Sequence, residues 1–140
     1  MSSRILSIDY GEKRIGLSVS DPTNIFATTL ETISNSNNSI MQILKIIDSY
    51  NVNTILVGYP LNMNGTMSRL CGVVDEFITE LERQIQVEII KRDERLTSYV
   101  AQSKIIEAVG SKKKRQDKSL VDKFSAATIL QDYLDEQKKN

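Results

Sequence analysis

The sequence predicts a single α/β domain built on a mixed β-sheet, and three observations indicate that fold class. The chain has 140 residues, which suits one domain with one sizeable core. Two early runs have the apolar spacing of a hairpin, and a wholly apolar run, TILVG at 54–58, predicts a strand covered on both faces. Apolar residues at helical spacing separate the later strands, as in parallel β-α-β units.

The chain opens with a predicted antiparallel hairpin. Its strands, Arg4 to Asp9 and Arg14 to Ser20, flank a tight Tyr10-Gly11 turn. A third strand, Thr28 to Ile33, is rich in β-branched residues and should extend the hairpin into an antiparallel meander.

A first helix and two β-α units complete the predicted order. Ser39, with Gln42 three residues later, has the spacing of a capping box and predicts where the first helix begins. The strands at 54–58 and 87–92 should lie parallel to the first strand, which gives a five-stranded mixed sheet flanked by helices in one domain over residues 1–140. The other predicted elements are a loop at Tyr59 to Gly65 and helices at Thr66 to Leu81, Ser98 to Val109 and Ser119 to about Glu136.

Composition excludes several kinds of chemistry. The chain has no histidine, which excludes Ser-His and Cys-His nucleophile pairs and His-ligated zinc. Its one cysteine, Cys71, excludes an internal disulfide and fits a reducing compartment. No run approaches the roughly 20 apolar residues of a membrane span and nothing resembles a signal peptide, so we expect no membrane contact.

Three acidic side chains are expected to meet at one edge of the sheet. Asp9 ends the first strand and Glu94, beside Asp93, follows the fifth, and the carboxyl ends of parallel neighbours open on the same edge. Asp122 lies on the apolar stripe of the last helix, four residues before Ala126, where an acid is costly unless it meets a metal or a cation. Carboxylates without imidazole form a hard oxygen site suited to Mg²⁺ or Mn²⁺, which can activate water for phosphodiester hydrolysis.

Each acid also has a plainer interpretation. Asp9 fits a residue that shapes the turn with Gly11. Asp122 stands three residues after Ser119, which is the N3 position of a capping box. The pair Asp93-Glu94 fits an exposed strand end with a local ion pair.

Basic and amide side chains near these acids suit a nucleic-acid substrate. Arg14 and Arg95 have the fork geometry that binds phosphate oxygens, and Asn62 either offers an amide to substrate or shapes the turn before Gly65. Short basic runs contact phosphate backbones but are also common on solvated surfaces, and the net charge of the chain is zero. The basic run of this chain precedes the last helix and consists of Lys112, Lys113, Lys114 and Arg115.

Four motifs span nearly the whole chain. They read DYGEKRIG at 9–16 with SDP at 20–22, VGYPLNMNGT at 57–66, DERLTS at 93–98, and KKKR at 112–115 with VD at 121–122 and AA at 126–127. Together, and in this order, they resemble the motifs of the YqgF/RuvX family of bacterial ribonuclease-H-like nucleases. Two residues depart from the family pattern: Tyr59 stands where a smaller or aliphatic residue is frequent, and Asn64 stands where an acid is frequent.

The resemblance implies a fold, a site and a substrate class. The fold would be ribonuclease-H-like, and the protein would act in the bacterial cytoplasm on the 5′ end of precursor 16S rRNA. Resolution of Holliday junctions is the alternative role. The catalytic and metal-binding residues carried over by position are Asp9, Glu94 and Asp122, and the cofactor would be Mg²⁺ or Mn²⁺. Symmetric cutting of a junction would require a dimer, whereas RNA trimming needs only one subunit, so we expect a monomer or a weak homodimer.

Two other classes of function share part of this pattern. Actin/Hsp70-like phosphotransferases also open with a hairpin and an Asp-x-Gly turn, but 140 residues leave no room for their second lobe. A non-catalytic RNA-binding factor in ribosome assembly could keep the fold without turnover, and the three acids count against it.

Overall fold

The computed structural model describes residues 3–93 and 118–138, with only the backbone described at 118–123. It forms one mixed sheet with helices on both faces, which confirms the predicted α/β class. No helix in these two ranges is both long and apolar enough to cross a membrane. The strands are β1 Arg4–Tyr10, β2 Arg14–Ser20, β3 Ala27–Thr29, β4 Ile33–Ser34, β5 Val52–Tyr59 and β6 Glu88–Asp93, and the helices are α1 Ser39–Ser49, α2 Arg69–Glu82 and α3 Lys118–Lys138.

The sheet has the strand order β3-β2-β1-β5-β6, and β4 also pairs with β2. β1 is antiparallel to β2 and parallel to β5, and β5 is parallel to β6. The carboxyl ends of β1, β5 and β6 therefore lie along one edge, as the sequence predicts. We call this edge the carboxyl edge.

The predicted third strand is divided into two. Thr29 pairs with Ser18, and Ile33 pairs with Ile15. Between these two pairs, the segment that joins β3 to β4 has one more residue than the segment of β2 opposite it. The extra residue interrupts the ladder in the manner of a β-bulge, which separates β3 from β4.

The predicted cap of the first helix is wrong. Asn38 is the N-cap of α1, and its side chain makes no capping hydrogen bond. The Ser39 hydroxyl instead accepts a hydrogen bond from the Ser36 N–H at 2.8 Å and donates one to the Ser34 carbonyl at 3.0 Å. These bonds join the end of β4 to the start of the helix.

Strand alternation separates two apolar cores. On one face, Leu6 and Ile8 of β1 and Ile55 and Val57 of β5 pack with residues of α1 and α2, including Phe77. We call this the α2 face. The residues between them face the other way, where Leu56 packs against a fully buried stripe of α3. We call this second side the α3 face. The stripe comprises Ile129, Leu130 and Leu134.

Candidate active site

Asp9 stands at the carboxyl edge with a glycine on each side of it. On one side it pairs with Gly16 of β2. On the other side β1 is parallel to β5, where Ile8 pairs with Val57, so the next residue of β5, Gly58, lies beside Asp9. Both glycines are buried, whereas Asp9 is half-buried. Because glycine has no side chain, another group can approach the Asp9 carboxylate closely over either neighbouring strand. The position suits a carboxylate that binds an ion or a substrate.

Two arginines share the α3 face with Asp9. Arg14 of β2 is two residues from Gly16, which makes it the diagonal neighbour of Asp9 at a spacing of about 7–8 Å. Arg92 of β6 pairs with Gly58, so it lies two strands from Asp9 on the same face. The structure therefore places two of the predicted site residues, Asp9 and Arg14, on one face and adds Arg92, which was not among the predicted residues.

Arg92 also joins β6 to α3. Its Nη2 lies 2.5 Å from Oε1 of Glu136, and its guanidinium carbon is 5.6 Å from the centre of the Tyr133 ring. The Arg92 and Glu136 side chains are 24% and 55% exposed, so water screens this ion pair in part. The two-residue period of β6 separates Arg92 from Lys91 and Asp93, and the β5–β6 register then places Arg92 on the face of Asp9.

Asp93 lies on the opposite face from Asp9. It pairs with Tyr59, and Tyr59 packs against the core on the α2 face. The same alternation places Lys91 on the α2 face and Arg92 on the α3 face. Asp93, the neighbour of the predicted site residue Glu94, therefore does not share a face with Asp9.

Position 122 lies in the first part of α3, one turn before the fully buried Ala126. The helix already includes Lys118 and Ser119, so Ser119 is not its N-cap and Asp122 is not at N3. Ser119 therefore lies inside the described helix, and the Asp122 side chain, on which the capping interpretation depends, lies outside the described part. α3 packs on β1, β2, β3 and β5, and its buried stripe covers the α3 face.

Most of the other predicted site residues lie outside the side chains that the structure describes. Among the side chains that the structure describes, no three acidic, cysteine or histidine groups come together in a way that could hold a metal ion. Asp9 is thus the one predicted metal ligand whose side chain lies in the described part. The residues outside it are Glu94, Arg95, Lys112, Lys113, Lys114 and Arg115, together with the side chain of Asp122.

The turn after Asp9 is fixed from three directions. A Cβ on Gly11 would collide with the carbonyl oxygen of Arg14, so the tight turn requires glycine. The Asn35 amide donates a hydrogen bond to the Gly11 carbonyl at 2.8 Å. Arg69, the first residue of α2, donates to Glu12 at 2.8 Å, and this hydrogen bond and the Arg69 charge lower the pKa of Glu12. These contacts hold the hairpin turn and the start of α2 together at the carboxyl edge.

Asn62 lies in the loop between β5 and α2, residues 60–68, which we call the edge loop. Its side-chain amide donates to the Thr66 hydroxyl at 3.0 Å and to the Met67 carbonyl at 3.4 Å. Both donors are therefore engaged within the loop. The structure gives Asn62 a loop-shaping role, and a substrate contact from it would have to use its amide oxygen.

A polar cluster on the α2 face holds the start of the edge loop. The Tyr59 hydroxyl donates to Asp75 at 2.9 Å, and Lys91 lies 2.8 Å from the same carboxylate and 4.9 Å from the centre of the Tyr59 ring. The hydrogen bond from Lys91 lowers the pKa of Asp75 more than any other interaction. Burial, followed by the hydrogen bond to Asp75, raises the pKa of Tyr59 to about 12. Tyr59, a departure from the family pattern, thus anchors the loop beside the site.

The sequence is similar to that of known proteins over almost its whole length. The model of a family described as RuvX: Holliday junction resolvase matches residues 3–136. A relative from Natranaerobius thermophilus, named "Putative pre-16S rRNA nuclease", is 40% identical over 136 residues, which cover 96% of this chain and 95% of the relative. A relative of the same name from Clostridium tetani is 43% identical over 134 residues, which cover 94% of this chain and 96% of the relative.

Solved structures share the fold. RuvC from Thermus thermophilus has a TM-score of 0.60 at 12% identity, with 97% of this chain and 96% of that chain covered. The Fowlpox virus resolvase, solved with a Holliday junction substrate, has a TM-score of 0.56 at 14% identity, with 96% and 98% covered. At these identities the similarity concerns the fold alone, and it confirms the predicted ribonuclease-H-like class.

Proposed function

This chain belongs to the RuvX family of nucleases, and from that membership we propose that it is a divalent-metal-dependent nuclease acting on structured nucleic acid. The favoured substrate is the 5′ region of precursor 16S rRNA in the bacterial cytoplasm, because relatives that match nearly the whole chain are named "Putative pre-16S rRNA nuclease". The structural observation that carries the proposal is Asp9, placed at the carboxyl edge between two buried glycines and beside Arg14.

The metal site would consist of Asp9, Glu94 and Asp122. Alternation along β6 puts Asp93 on the α2 face, which favours Glu94 as the second acid. The backbone of α3, which covers the α3 face, supports Asp122 as the third. Oxygen ligands without imidazole suit Mg²⁺ or Mn²⁺, and the two glycines place no side chain of their own beside the Asp9 carboxylate. When bound, the cation would activate water and stabilise the leaving oxygen of the phosphodiester.

The protein's own residues would orient the substrate. Arg14, on the face of Asp9, would hold a phosphate oxygen of the backbone through its guanidinium group. Arg95 and the run Lys112, Lys113, Lys114 and Arg115 would contact neighbouring phosphates. The edge loop, shaped by Asn62, would border the bound strand. Because contacts to phosphate do not read sequence, selectivity would come from the shape of the nucleic acid.

A DNA junction is the second candidate substrate. The family description names Holliday junction resolvases, and the fold is shared with resolvases that have been solved on junctions. A resolvase of this kind would cut two strands in a symmetric dimer, whereas RNA trimming would proceed in a monomer or a weak homodimer.

The test is cleavage of two labelled substrates by the purified chain, a precursor 16S rRNA leader fragment and a four-way DNA junction. Each substrate would be incubated with Mg²⁺, with Mn²⁺ and with EDTA. Asp9→Asn is the test variant, and Asp48→Asn, on the exposed side of α1, is the matched control. Metal-dependent cutting that Asp9→Asn loses and Asp48→Asn keeps would support the site, and the substrate cut would identify the role. Binding without cutting in every condition would refute the nuclease and favour an RNA-binding assembly factor.

A further inference from the structure

A buried serine lies next to Asp9 on the same face of the same strand. Ser7 precedes Asp9 by two residues in β1, so both side chains stand on the α3 face, with their Cα atoms about 6.5 Å apart. Ser7 is fully buried, and it pairs with Leu56 of β5, which packs against the buried stripe of α3. Ser7 therefore lies inward of Asp9, beneath the helix.

The hydroxyl of Ser7 makes no hydrogen bond with any residue that the structure describes. Its partner across the β1–β2 ladder, Ser18, is also fully buried on this face, but the Ser18 hydroxyl donates to the Thr28 carbonyl at 2.8 Å. Buried hydroxyl groups are usually paired, and alanine would fill the position of an unpaired serine at less cost to stability. The fold thus uses the hydroxyl of Ser18, whereas the packing of the chain does not explain the hydroxyl of Ser7.

The Asp9 carboxylate is within reach of this hydroxyl. The neighbours of Asp9 across the sheet, Gly16 and Gly58, have no side chains, so Ser7 carries the side chain that follows Asp9 inward along the α3 face. One water molecule can bridge two oxygens that are up to about 5.5 Å apart, and two side chains on one face at this spacing can bring their oxygens within that range. Carboxylates that bind metal ions are themselves commonly hydrogen-bonded, which fixes their orientation.

We propose that Ser7 is a positioning residue of the metal site, whose hydroxyl donates a hydrogen bond through one buried water molecule to the Asp9 carboxylate. This proposal rests on the proposed nuclease function and adds the group that orients Asp9. The water donates to one oxygen of the carboxylate, which leaves the other oxygen for the cation. A carboxylate that is held in one orientation loses less conformational freedom when it binds an ion, so Ser7 strengthens the binding of the cation.

The experiment measures binding of Mn²⁺ rather than cleavage. The full chain is freed of metal with EDTA, dialysed and titrated with Mn²⁺, and the free ion is followed by electron paramagnetic resonance. Ser7→Ala is the test variant, and Ser18→Ala, which removes an equally buried hydroxyl from the same face, is the matched control. Asp9→Asn shows whether the ion that is measured lies at the site. Urea unfolding of each protein in EDTA measures the structural effect of each substitution.

We expect Ser7→Ala to weaken Mn²⁺ binding by about tenfold and Ser18→Ala to change it by less than about twofold. The order should reverse in urea with EDTA. Ser18→Ala should lower the unfolding midpoint because the Thr28 carbonyl loses a donor, and Ser7→Ala should not lower it because no described group loses one. In the Asp9→Asn protein, Ser7→Ala should have no further effect on Mn²⁺ binding, because both residues act on one ligand.

Two outcomes would overturn the inference alone. Equal Mn²⁺ affinity in Ser7→Ala and the parent would make Ser7 a packing residue without a role in the site. A urea midpoint that Ser7→Ala lowers as much as Ser18→Ala does would show that the hydroxyl serves the fold. A parent chain that binds Mn²⁺ no better than Asp9→Asn would refute the proposed metal site and the inference together, and that result differs from the first two, in which the parent binds the ion.

Discussion

The contact of Arg92 with Glu136 and Tyr133 predicts a measurable coupling between β6 and α3. The ion pair is close, at 2.5 Å, but Glu136 is 55% exposed, so its energy should be near that of a surface pair, about 0.5–1 kcal/mol. Stacking on Tyr133 at 5.6 Å should add about 0.5–1 kcal/mol. We therefore expect Arg92→Gln to lower the free energy of unfolding by about 1–2 kcal/mol and Glu136→Gln by about half as much.

Urea unfolding of both single variants and the double variant would measure this coupling. Because the two side chains share one interaction, the double variant should cost less than the sum of the singles by about 0.5–1 kcal/mol. Arg83→Gln with Glu80→Gln, an exposed pair at the end of α2 with a separation of 2.9 Å, is the matched control and should show weaker coupling. Additive losses at Arg92 and Glu136 would refute the view that this contact fastens α3 to β6.

Three other predictions concern the fold around the site. Ultraviolet titration should show a tyrosine ionisation at a pKa of about 12 that the Tyr59→Phe variant lacks. Because the pKa of Tyr59 is raised above 10.0 in the folded protein, its contribution to stability should be complete below pH 10.0. That contribution should be lost as the pH rises towards 12. Gly11→Ala should cost about 1–3 kcal/mol in urea unfolding, because its Cβ collides with the Arg14 carbonyl, and a neutral result would show that the turn relaxes freely. Leu130→Ala, at a fully buried position on the sheet-facing side of α3, should cost about 2–5 kcal/mol, and a loss below 1 kcal/mol would mean that α3 packs loosely on the sheet.

The elements of the sheet were predictable because strand periodicity and strand ends are local signals. The hairpin of β1 and β2, the apolar strand β5 and the position of Asp9 at a strand end are all visible in the sequence. The division of β3 from β4 was not predictable, because a bulge depends on the register with a partner strand. α2 begins at Arg69 instead of Thr66, whose backbone belongs to the edge loop, where its carbonyl accepts a hydrogen bond from the Asn62 N–H.

The site was predictable in part for the same reason. Asp9 and Arg14 come from one hairpin, so their common face follows from alternation. Arg92 reaches that face through pairing between β5 and β6, and its partner Glu136 comes from the last helix. Contacts between elements so distant along the chain leave no periodic signal in the sequence.

The central position of β1 determines when a chain being synthesised can first have a working site. β1 and β2 are adjacent in sequence, so their hairpin can close as soon as both have left the ribosome. β5 must be made before the other side of β1 is paired, and α3, which covers the face of Asp9, comes last among the described elements. An unfinished chain therefore exposes Asp9 without the neighbours that hold it. The site proposed at the carboxyl edge is complete only once α3 has been made.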